Sequence, residues 1–372
     1  MSTPAPDDRP ADSPVDGAAD PLGGRPAGVP AGTPYHRLAH LREAWARPAR
    51  PVLTVLVAII AYVVLASILL VAIVTSLALL PGDQPDLGMH LRDPSSPLDV
   101  GVSLAMGALW CPAALIGARF GGWRPTRWLL SVTGTFRGEL VRAAALPVGA
   151  AALLGTVVMT GIVWASRPWL GADSVGAGQA LFAAALALVL GLAKAIGVEL
   201  ALRGMLLQAL GTWLRSPALT IVFATIVSLA VSGFSRTGIV LALTMGLACG
   251  YLAWRSGGLE LPILLTASLT ISGGVVAALN RIAEPAIRDL LGLDGVQLSI
   301  GWAGYRTGET TSAAAAIPGV ASGSILGAIG IGLLALIIAA LLGRWIGRRE
   351  QLAAAEPVRR PADAPAPEPV AV

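Results

Sequence analysis

Three ionisable side chains lie within one long hydrophobic segment of the sequence: Lys194, Glu199 and Arg203. An ionisable side chain in the middle of a membrane-spanning helix costs on the order of 2.5 to 3.5 kcal/mol and is commonly functional. Glu199 and Arg203 are four residues apart, which puts them on one helix face within reach of a charge-assisted pair. Lys194 lies about 140° around the helix from Glu199. We therefore expect an ion pair that fixes this helix against its neighbours, while Lys194 either snorkels or faces a different neighbour.

Histidine and cysteine, which supply most metal sites and many catalytic dyads, are scarce in this chain. The three histidines, His36, His40 and His90, all precede residue 91. Cys111 and Cys249 lie in two separate hydrophobic runs, which predicts buried thiols without a disulfide. His36 and His40 have the spacing of a metal site, but with no further ligand nearby we expect a solvated face. The sequence thus predicts neither a metal nor another cofactor.

The elements that must position these residues are membrane-spanning helices. The 372-residue chain is 55% hydrophobic and only 13% charged, with a mean hydropathy of +0.72. Soluble domains carry about 25% charged residues, and a helix needs about 20 apolar residues to cross the hydrocarbon core. We therefore predict an all-α polytopic membrane protein that contacts the lipid bilayer and no nucleic acid. Its eight predicted spans are 51–80, 100–119, 140–165, 177–211, 217–234, 238–254, 261–280 and 323–343.

The distribution of arginine predicts how the spans are oriented. With eight spans, the Arg-dense segments before span one, after span two and after span eight all fall on the same side. The positive-inside rule makes that side cytoplasmic. We therefore expect a multi-pass protein of the cell membrane with both termini in the cytoplasm.

Three regions follow from this layout. Residues 1–50 are expected to form a disordered cytoplasmic tail, because its Pro- and Gly-rich part cannot bury enough apolar area to order itself. Its last part, residues 35–47, is basic and amphipathic, with Leu38, Leu41 and Trp45 on one stripe, and is expected to lie on an anionic leaflet. Residues 51–346 form the transmembrane bundle, and residues 347–372 form a second disordered cytoplasmic tail.

Two sequence motifs resemble a known family. The segment IGVELALRGMLLQAL (196–210) is similar to the EExxxRG motif of the CPBP intramembrane proteases, the CAAX-processing and bacteriocin-processing endopeptidases. The segment LTMGLACGYLAWRSGGLELPILLTASLT (243–270) resembles a later region of the same family. Order and spacing agree over residues 176–280, which would form a CPBP-like core. The resemblance implies a glutamate that activates water, assisted by two histidines and an asparagine on later spans, with or without a metal.

The chain departs from the family motifs at four of the positions that matter for catalysis. Glu199 and Arg203 remain as a remnant of the first motif, where Val198 replaces the first glutamate. The later motif positions that carry histidine, histidine and asparagine in the family align here with Gly233, Thr266 and Thr270. No histidine occurs after His90, so no shift of the alignment supplies one. The sequence therefore identifies no confident catalytic residue.

These departures favour a non-hydrolytic homologue that binds a membrane peptide, a lipid or a partner membrane protein. One alternative is an active intramembrane endopeptidase with unusual residues, using Glu199 as a general base. A second alternative, from another functional class, is a small-solute or lipid carrier whose pathway is lined by Lys194, Glu199 and Arg203. A Ser/Lys dyad of Lys194 with Ser228 or Ser232 is also conceivable, although nothing in the spacing shows that these side chains meet.

Overall fold

The structure is a computed structural model, and it describes residues 32–79, 97–122, 124–166, 177–232, 236–291, 325–362 and 364. Eight helices of 16 residues or more occur in this part of the chain: α1 (Ala49–Leu79), α2 (Pro97–Gly121), α3 (Gly138–Ser166), α4 (Ala177–Leu210), α5 (Pro217–Ser232), α6 (Arg236–Ser256), α7 (Glu260–Leu291) and α8 (Ile325–Arg349). All of them except α5 are long and apolar enough to cross a membrane. The predicted all-α polytopic fold is confirmed. Seven of the eight predicted spans correspond to helices of spanning length, and the predicted span 217–234 corresponds to the shorter α5, so the count of eight spans stays a prediction.

Two helices contain a π-helical turn that the sequence pattern did not predict. One is Gly117–Gly121, at the end of α2, and the other is Leu200–Leu206, directly after Glu199 in α4. In the first, glycine lets α1 come close, because a Cβ on Gly117 would lie 2.6 Å from the backbone oxygen of Thr54. Such turns are frequent at functional sites, and the second one holds Arg203.

The centre of the bundle is formed by α4 and α7. Helix α7 contacts α3, α4 and α6, while α8 lies against α3 and α6, α2 against α4, and α5 against α6. Close approach of α2 and α4 requires glycine, since a Cβ on Gly197 would lie 2.8 Å from the backbone oxygen of Gly107. Large apolar side chains cover the outer faces, for example Ile60, Val64 and Ile68 of α1. These faces contact the lipid bilayer.

One end of the bundle carries a covering layer that we call the cap: residues 33–48, 124–137, 211–216, 257–259 and 350–362. Strand β1 (Thr33–Pro34) pairs antiparallel with strand β2 (Arg359–Arg360), and a 3₁₀ helix, Tyr35–Leu41, follows β1. The turn between α6 and α7 bonds to the segment before α3, with Leu259 N donating to Leu130 O at 2.8 Å. The cap thus ties both terminal segments to the helix ends.

The terminal segments differ from the expectation of disordered tails over residues 33–46 and 350–362, which are ordered and lie against the bundle. The apolar stripe of the N-terminal segment faces protein instead of the leaflet, since Leu38 and Trp45 are 1% and 4% exposed. Amphipathicity identifies an apolar face, but it does not say what covers that face. Residues 1–31 and 365–372 lie outside the described part of the chain.

The expectation of a solvated histidine face is wrong for His36. Its side chain is buried, and His40 is exposed. The physical reason is the 3₁₀ geometry, in which 3.0 residues per turn place positions i and i+4 about 120° apart instead of on one face.

Candidate functional site

The predicted ion pair between Glu199 and Arg203 is confirmed. Arg203 Nη1 lies 3.2 Å from Glu199 Oε1, and both side chains are buried in α4. Glu199 lies about 16 Å and Arg203 about 10 Å from the cap end of this helix. Arg203 Nη2 donates a second hydrogen bond to the backbone oxygen of Met245 in α6, at 3.1 Å. The guanidinium therefore joins two helices and neutralises a carboxylate that would otherwise be costly inside a bilayer.

A hydroxyl and a thiol extend this pair into a chain of hydrogen bonds. Thr266 Oγ1 in α7 donates to Glu199 Oε1 at 2.6 Å, and Cys249 Sγ in α6 lies 3.4 Å from Thr266 Oγ1. An ionised carboxylate only accepts, so the threonine proton points to Glu199 and the thiol donates to the threonine oxygen. We call Glu199, Arg203, Cys249 and Thr266 the interior cluster.

Sequence reasoning missed the polar role of Cys249, which was expected to be a buried apolar group. A usable signal was present in the two glycines at 257–258, which indicate a tight turn between two antiparallel helices. Cys249 lies eight residues before this turn and Thr266 eight after it. Equal distance from such a turn places two residues at the same level of neighbouring helices, while the faces that meet depend on the register of the two helices.

The interior cluster leaves one carboxylate oxygen without a partner in the described part of the chain. Glu199 Oε2 is buried and accepts no hydrogen bond there, and the same holds for Thr225 Oγ1 in α5. The Thr225 side chain lies against Gly246, where a Cβ would be 2.8 Å from Thr225 Oγ1, and Gly246 follows Met245, the residue that Arg203 binds. Because unsatisfied polar atoms are expensive in a bilayer, these atoms indicate a capacity to bind a polar group.

The other positions of the family motifs are placed as follows. Thr270 is buried one turn beyond Thr266, where its methyl group faces Gly191 of α4. Val198 is half-buried next to Glu199. Gly233 lies outside the described residues. Among the family positions that the structure describes, Thr266 donates a hydrogen bond to Glu199.

Lys194 faces a different neighbour from Glu199, which is one of the two alternatives that the helical spacing left open. Its aliphatic chain lies against Gly107 of α2, where a Cβ would be 2.6 Å from Lys194 Cγ. Ser228 donates to the backbone oxygen of Thr225 within its own helix, at 2.6 Å. The side chain of Ser232, the other candidate for a Ser/Lys dyad, lies outside the described part.

The donor set of the interior cluster suits hydrogen bonding better than metal binding. One carboxylate, one thiol and hydroxyl groups converge there, and the described residues contain no group of three or more His, Cys, Asp or Glu that could hold a metal. A catalytic zinc site uses three protein ligands of these types.

The cap fixes the end of α4 that follows Arg203. Gln208 is fully buried, accepts from Arg124 Nη1 at 3.0 Å and donates to the backbone oxygen of Trp128 at 2.9 Å. The Tyr35 hydroxyl donates to the backbone oxygen of Leu129. Burial raises the pKa of Tyr35 well above its ordinary value and lowers the pKa of Arg124 to about 10. The N-terminal segment is therefore connected to the helix that carries Glu199.

Comparison with known families identifies this region of the chain. Residues 179–271 match a family model described as type II CAAX prenyl endopeptidase Rce1-like. Over these residues the chain is similar to the CPBP intramembrane endopeptidases. The CPBP match covers about a quarter of the 372 residues and includes the whole interior cluster. The resemblance found in the sequence motifs is therefore confirmed, within the predicted core of residues 176–280.

No curated protein and no solved structure matches the chain.

Proposed function

We propose that this protein is a non-hydrolytic member of the CPBP family and binds a membrane peptide through the interior cluster. The observation that carries the proposal is that the two carboxylate oxygens of Glu199 differ in their hydrogen bonding. One oxygen is held by Arg203 and Thr266, and the other is buried and open to a donor. A backbone N–H is such a donor, and inside a bilayer it gains much from an acceptor.

The same geometry argues against peptide hydrolysis. Cleavage needs a general base together with a group that stabilises the oxyanion. At the position where the family motif has histidine, Thr266 directs its proton to Glu199, so this hydroxyl supports the carboxylate instead of polarising a substrate carbonyl. Arg203 is likewise engaged with Glu199 and Met245.

A carrier function finds less support than peptide binding. A shared pathway for the three ionisable residues needs them on one side of α4, yet Lys194 lies against α2. Glu199 and Arg203 instead reach α7 and α6. Substrate-dependent flux in liposomes that is lost in Glu199→Gln would favour the carrier over peptide binding.

A cleavage assay in nanodiscs tests the proposal. The probe is a peptide with a prenylated cysteine near its C-terminus, the substrate class named by the family description. We expect no cleavage by the wild-type chain, but binding that weakens in Glu199→Gln. A fourfold variant, Val198→Glu, Gly233→His, Thr266→His and Thr270→Asn, restores the motif positions, and we expect it to cleave.

Two outcomes would contradict the proposal. Cleavage by the wild type that is lost in Glu199→Gln would show an active endopeptidase with unusual residues. Absence of binding by the wild type, in a sample whose thermal unfolding shows a folded protein, would remove the peptide as ligand. Lys194→Gln, on another face of α4, is the matched control and should leave binding unchanged.

We also propose that the protein lies in the cell membrane with its cap in the cytoplasm. The Arg-dense segments converge at the cap, and the positive-inside rule assigns that side to the cytoplasm. A cysteine introduced at exposed Ala354 of the cap should be labelled by a membrane-impermeant maleimide only after cell lysis. One at Ala177, exposed at the opposite end of the bundle, should be labelled in intact cells. The reverse pattern would overturn the orientation.

A further inference from the structure

The two terminal segments of the chain meet at the cap and bring two arginines close to one buried histidine. Strands β1 and β2 are paired so that Pro34 lies opposite Arg359. His36 and Arg37 follow β1 directly in the 3₁₀ helix. Arg37 therefore comes from the N-terminal segment and Arg359 from the C-terminal segment, on either side of the same pairing.

The groups that act electrostatically on this place are cationic. The charges acting on the His36 ring come from Arg37, Arg359 and His40, and those acting on His40 come from Arg37 and Arg215. The His36 ring is 2% exposed, and its Nε2 lies 3.4 Å from the backbone oxygen of Arg215. Arg37 and Arg359, which are distant in sequence, thus both place positive charge near the His36 ring.

The countercharge for this cluster is missing from the described part of the chain. No ion pair joins Arg37 or Arg359 to a carboxylate of the described residues, and Glu350, at the start of the C-terminal segment, lies 3.9 Å from Arg349 instead. Arg137 and Arg203 differ from Arg37 and Arg359 in this respect, since each of them forms an ion pair with a glutamate.

Buried donors at this place also lack acceptors. The Nε atoms of Arg37 and Arg359 are buried and have no hydrogen-bond partner among the described residues. A guanidinium only donates hydrogen bonds, and its planar fork matches the oxygens of a phosphate or carboxylate. The guanidinium groups of Arg37 and Arg359, which come from two segments, therefore match an acceptor that carries several oxygens and negative charge.

We propose that Arg37 and Arg359 bind a phosphate group, which links the N-terminal and C-terminal segments of the cap. The site lies beyond the cap ends of the helices, at the level where phospholipid headgroups meet water. A phosphate of an anionic lipid and a phosphate of a soluble molecule present the same oxygens, and the experiment separates these two sources. This inference is independent of whether the interior cluster binds or cleaves a peptide.

Thermal unfolding of the full chain in dodecyl maltoside micelles tests the site. The two probes are dioctanoyl phosphatidic acid and inorganic phosphate, each compared at equal ionic strength with dioctanoyl phosphatidylcholine or with chloride. A ligand that binds only the folded state raises the unfolding midpoint. We expect phosphatidic acid, inorganic phosphate or both to raise it. A rise with only one probe identifies the lipid or the soluble source.

The matched variants assign the effect to the two arginines. In the double variant Arg37→Gln and Arg359→Gln, we expect the apparent affinity for phosphate to weaken by about tenfold or more, since two hydrogen bonds to a charged group are lost. The double variant Arg344→Gln and Arg348→Gln removes the same charge at the cap end of α8, and it should respond like the wild type. Arg37→Lys with Arg359→Lys keeps the charge but removes the fork, and should weaken binding partially.

Two results would overturn the site. One is an unchanged midpoint with both phosphate probes up to millimolar concentration. The other is an equal response of the wild type and the Arg37→Gln, Arg359→Gln variant. If the glutamine variant does not fold, the lysine variant decides, and its response must then fall below that of the wild type.

Discussion

Two buried Arg–Glu pairs hold this bundle together, and they differ in how fully their carboxylates are used. At the cap end of α7, Glu260 accepts from the backbone N and the Nε of Arg137 at its Oε1, and from Nη2 at its Oε2, each at 3.0 Å. In the interior, Glu199 uses only Oε1, for Arg203 and Thr266, and its Oε2 has no partner in the described part.

The difference separates a structural pair from a site with spare binding capacity. Glu260 also begins α7, where the helix dipole favours a negative charge, and its Arg137 partner reaches the backbone of Ser256 at 2.8 Å. Both carboxylate oxygens of Glu260 already accept hydrogen bonds from Arg137, so neither is left without a donor for a ligand to supply. A half-satisfied buried carboxylate carries an energetic cost, which a ligand with a suitable donor would remove.

Removal of the Glu260 carboxylate, both of whose oxygens accept hydrogen bonds, should have the largest effect on the free energy of unfolding. Breaking a buried pair leaves the other charge uncompensated and costs about 3 to 5 kcal/mol. We expect Glu260→Gln to lower the free energy of unfolding by about 3 kcal/mol, measured by equilibrium unfolding in mixed micelles. Glu139→Gln is the control, because that carboxylate is 85% exposed and 3.9 Å from Arg349, and such pairs contribute about 0 to 1 kcal/mol. Equal losses in the two variants would remove the structural role of Glu260.

The interior pair should tolerate the same substitution better. In Glu199→Gln the amide oxygen still accepts from Thr266, and Arg203 keeps its bond to Met245. The substitution also removes the cost of a buried, half-satisfied carboxylate, which offsets part of the cost of leaving Arg203 without its countercharge. We expect a loss of about 2 kcal/mol, the scale of a hydrogen bond to a charged group, in the same unfolding measurement. A loss as large as that of Glu260→Gln would show that both carboxylates are structural, and the comparison would then fail.

The Thr266 hydroxyl that donates to Glu199 should contribute less to the free energy of unfolding than either carboxylate. Thr266→Val keeps the shape but removes the donor, and we expect a loss of about 1 kcal/mol. Thr270→Val is the matched control one turn away, where the threonine methyl group faces Gly191. A similar loss in both valine variants would mean that the hydrogen bond to Glu199 contributes nothing specific. Thr266→Ser should retain most of the wild-type stability.

Much of the fold was predictable from the sequence, because hydropathy reports on the solvent of each segment. The eight apolar runs correspond to eight helices, and the spacing of Glu199 and Arg203 predicted their pair. The π-helical turn after Glu199 was not predictable, since an apolar pattern cannot distinguish 3.6 residues per turn from a local widening.

The cap escaped prediction for a different reason. The short segments around Tyr35 and Arg359 are ordered by contacts with residues about a hundred or more positions away, such as the backbone of Leu129 and the paired strand. Local composition reports how much apolar area a segment has, but not which distant surface covers it. The same limit applies to Cys249, whose polar contact depends on the register of two helices.

The last prediction uses pH to separate the cap from the interior. Burial, aided by the positive charges of Arg37 and Arg359, lowers the pKa of His36 from 6.5 to about 4. The unfolded state therefore binds more protons than the folded state between these two values, so the stability that neutral His36 provides is lost as the pH falls from about 6.5 to about 4.

We expect amide hydrogen exchange of Tyr35–Ala46, corrected for intrinsic rates, to lose protection over this window. The loss should be absent in His36→Asn, whose side chain does not titrate, and protection of Leu200–Leu206 should change less. Persistence of the pH response in His36→Asn would assign it to another group, with His40 the next candidate because burial lowers its pKa as well.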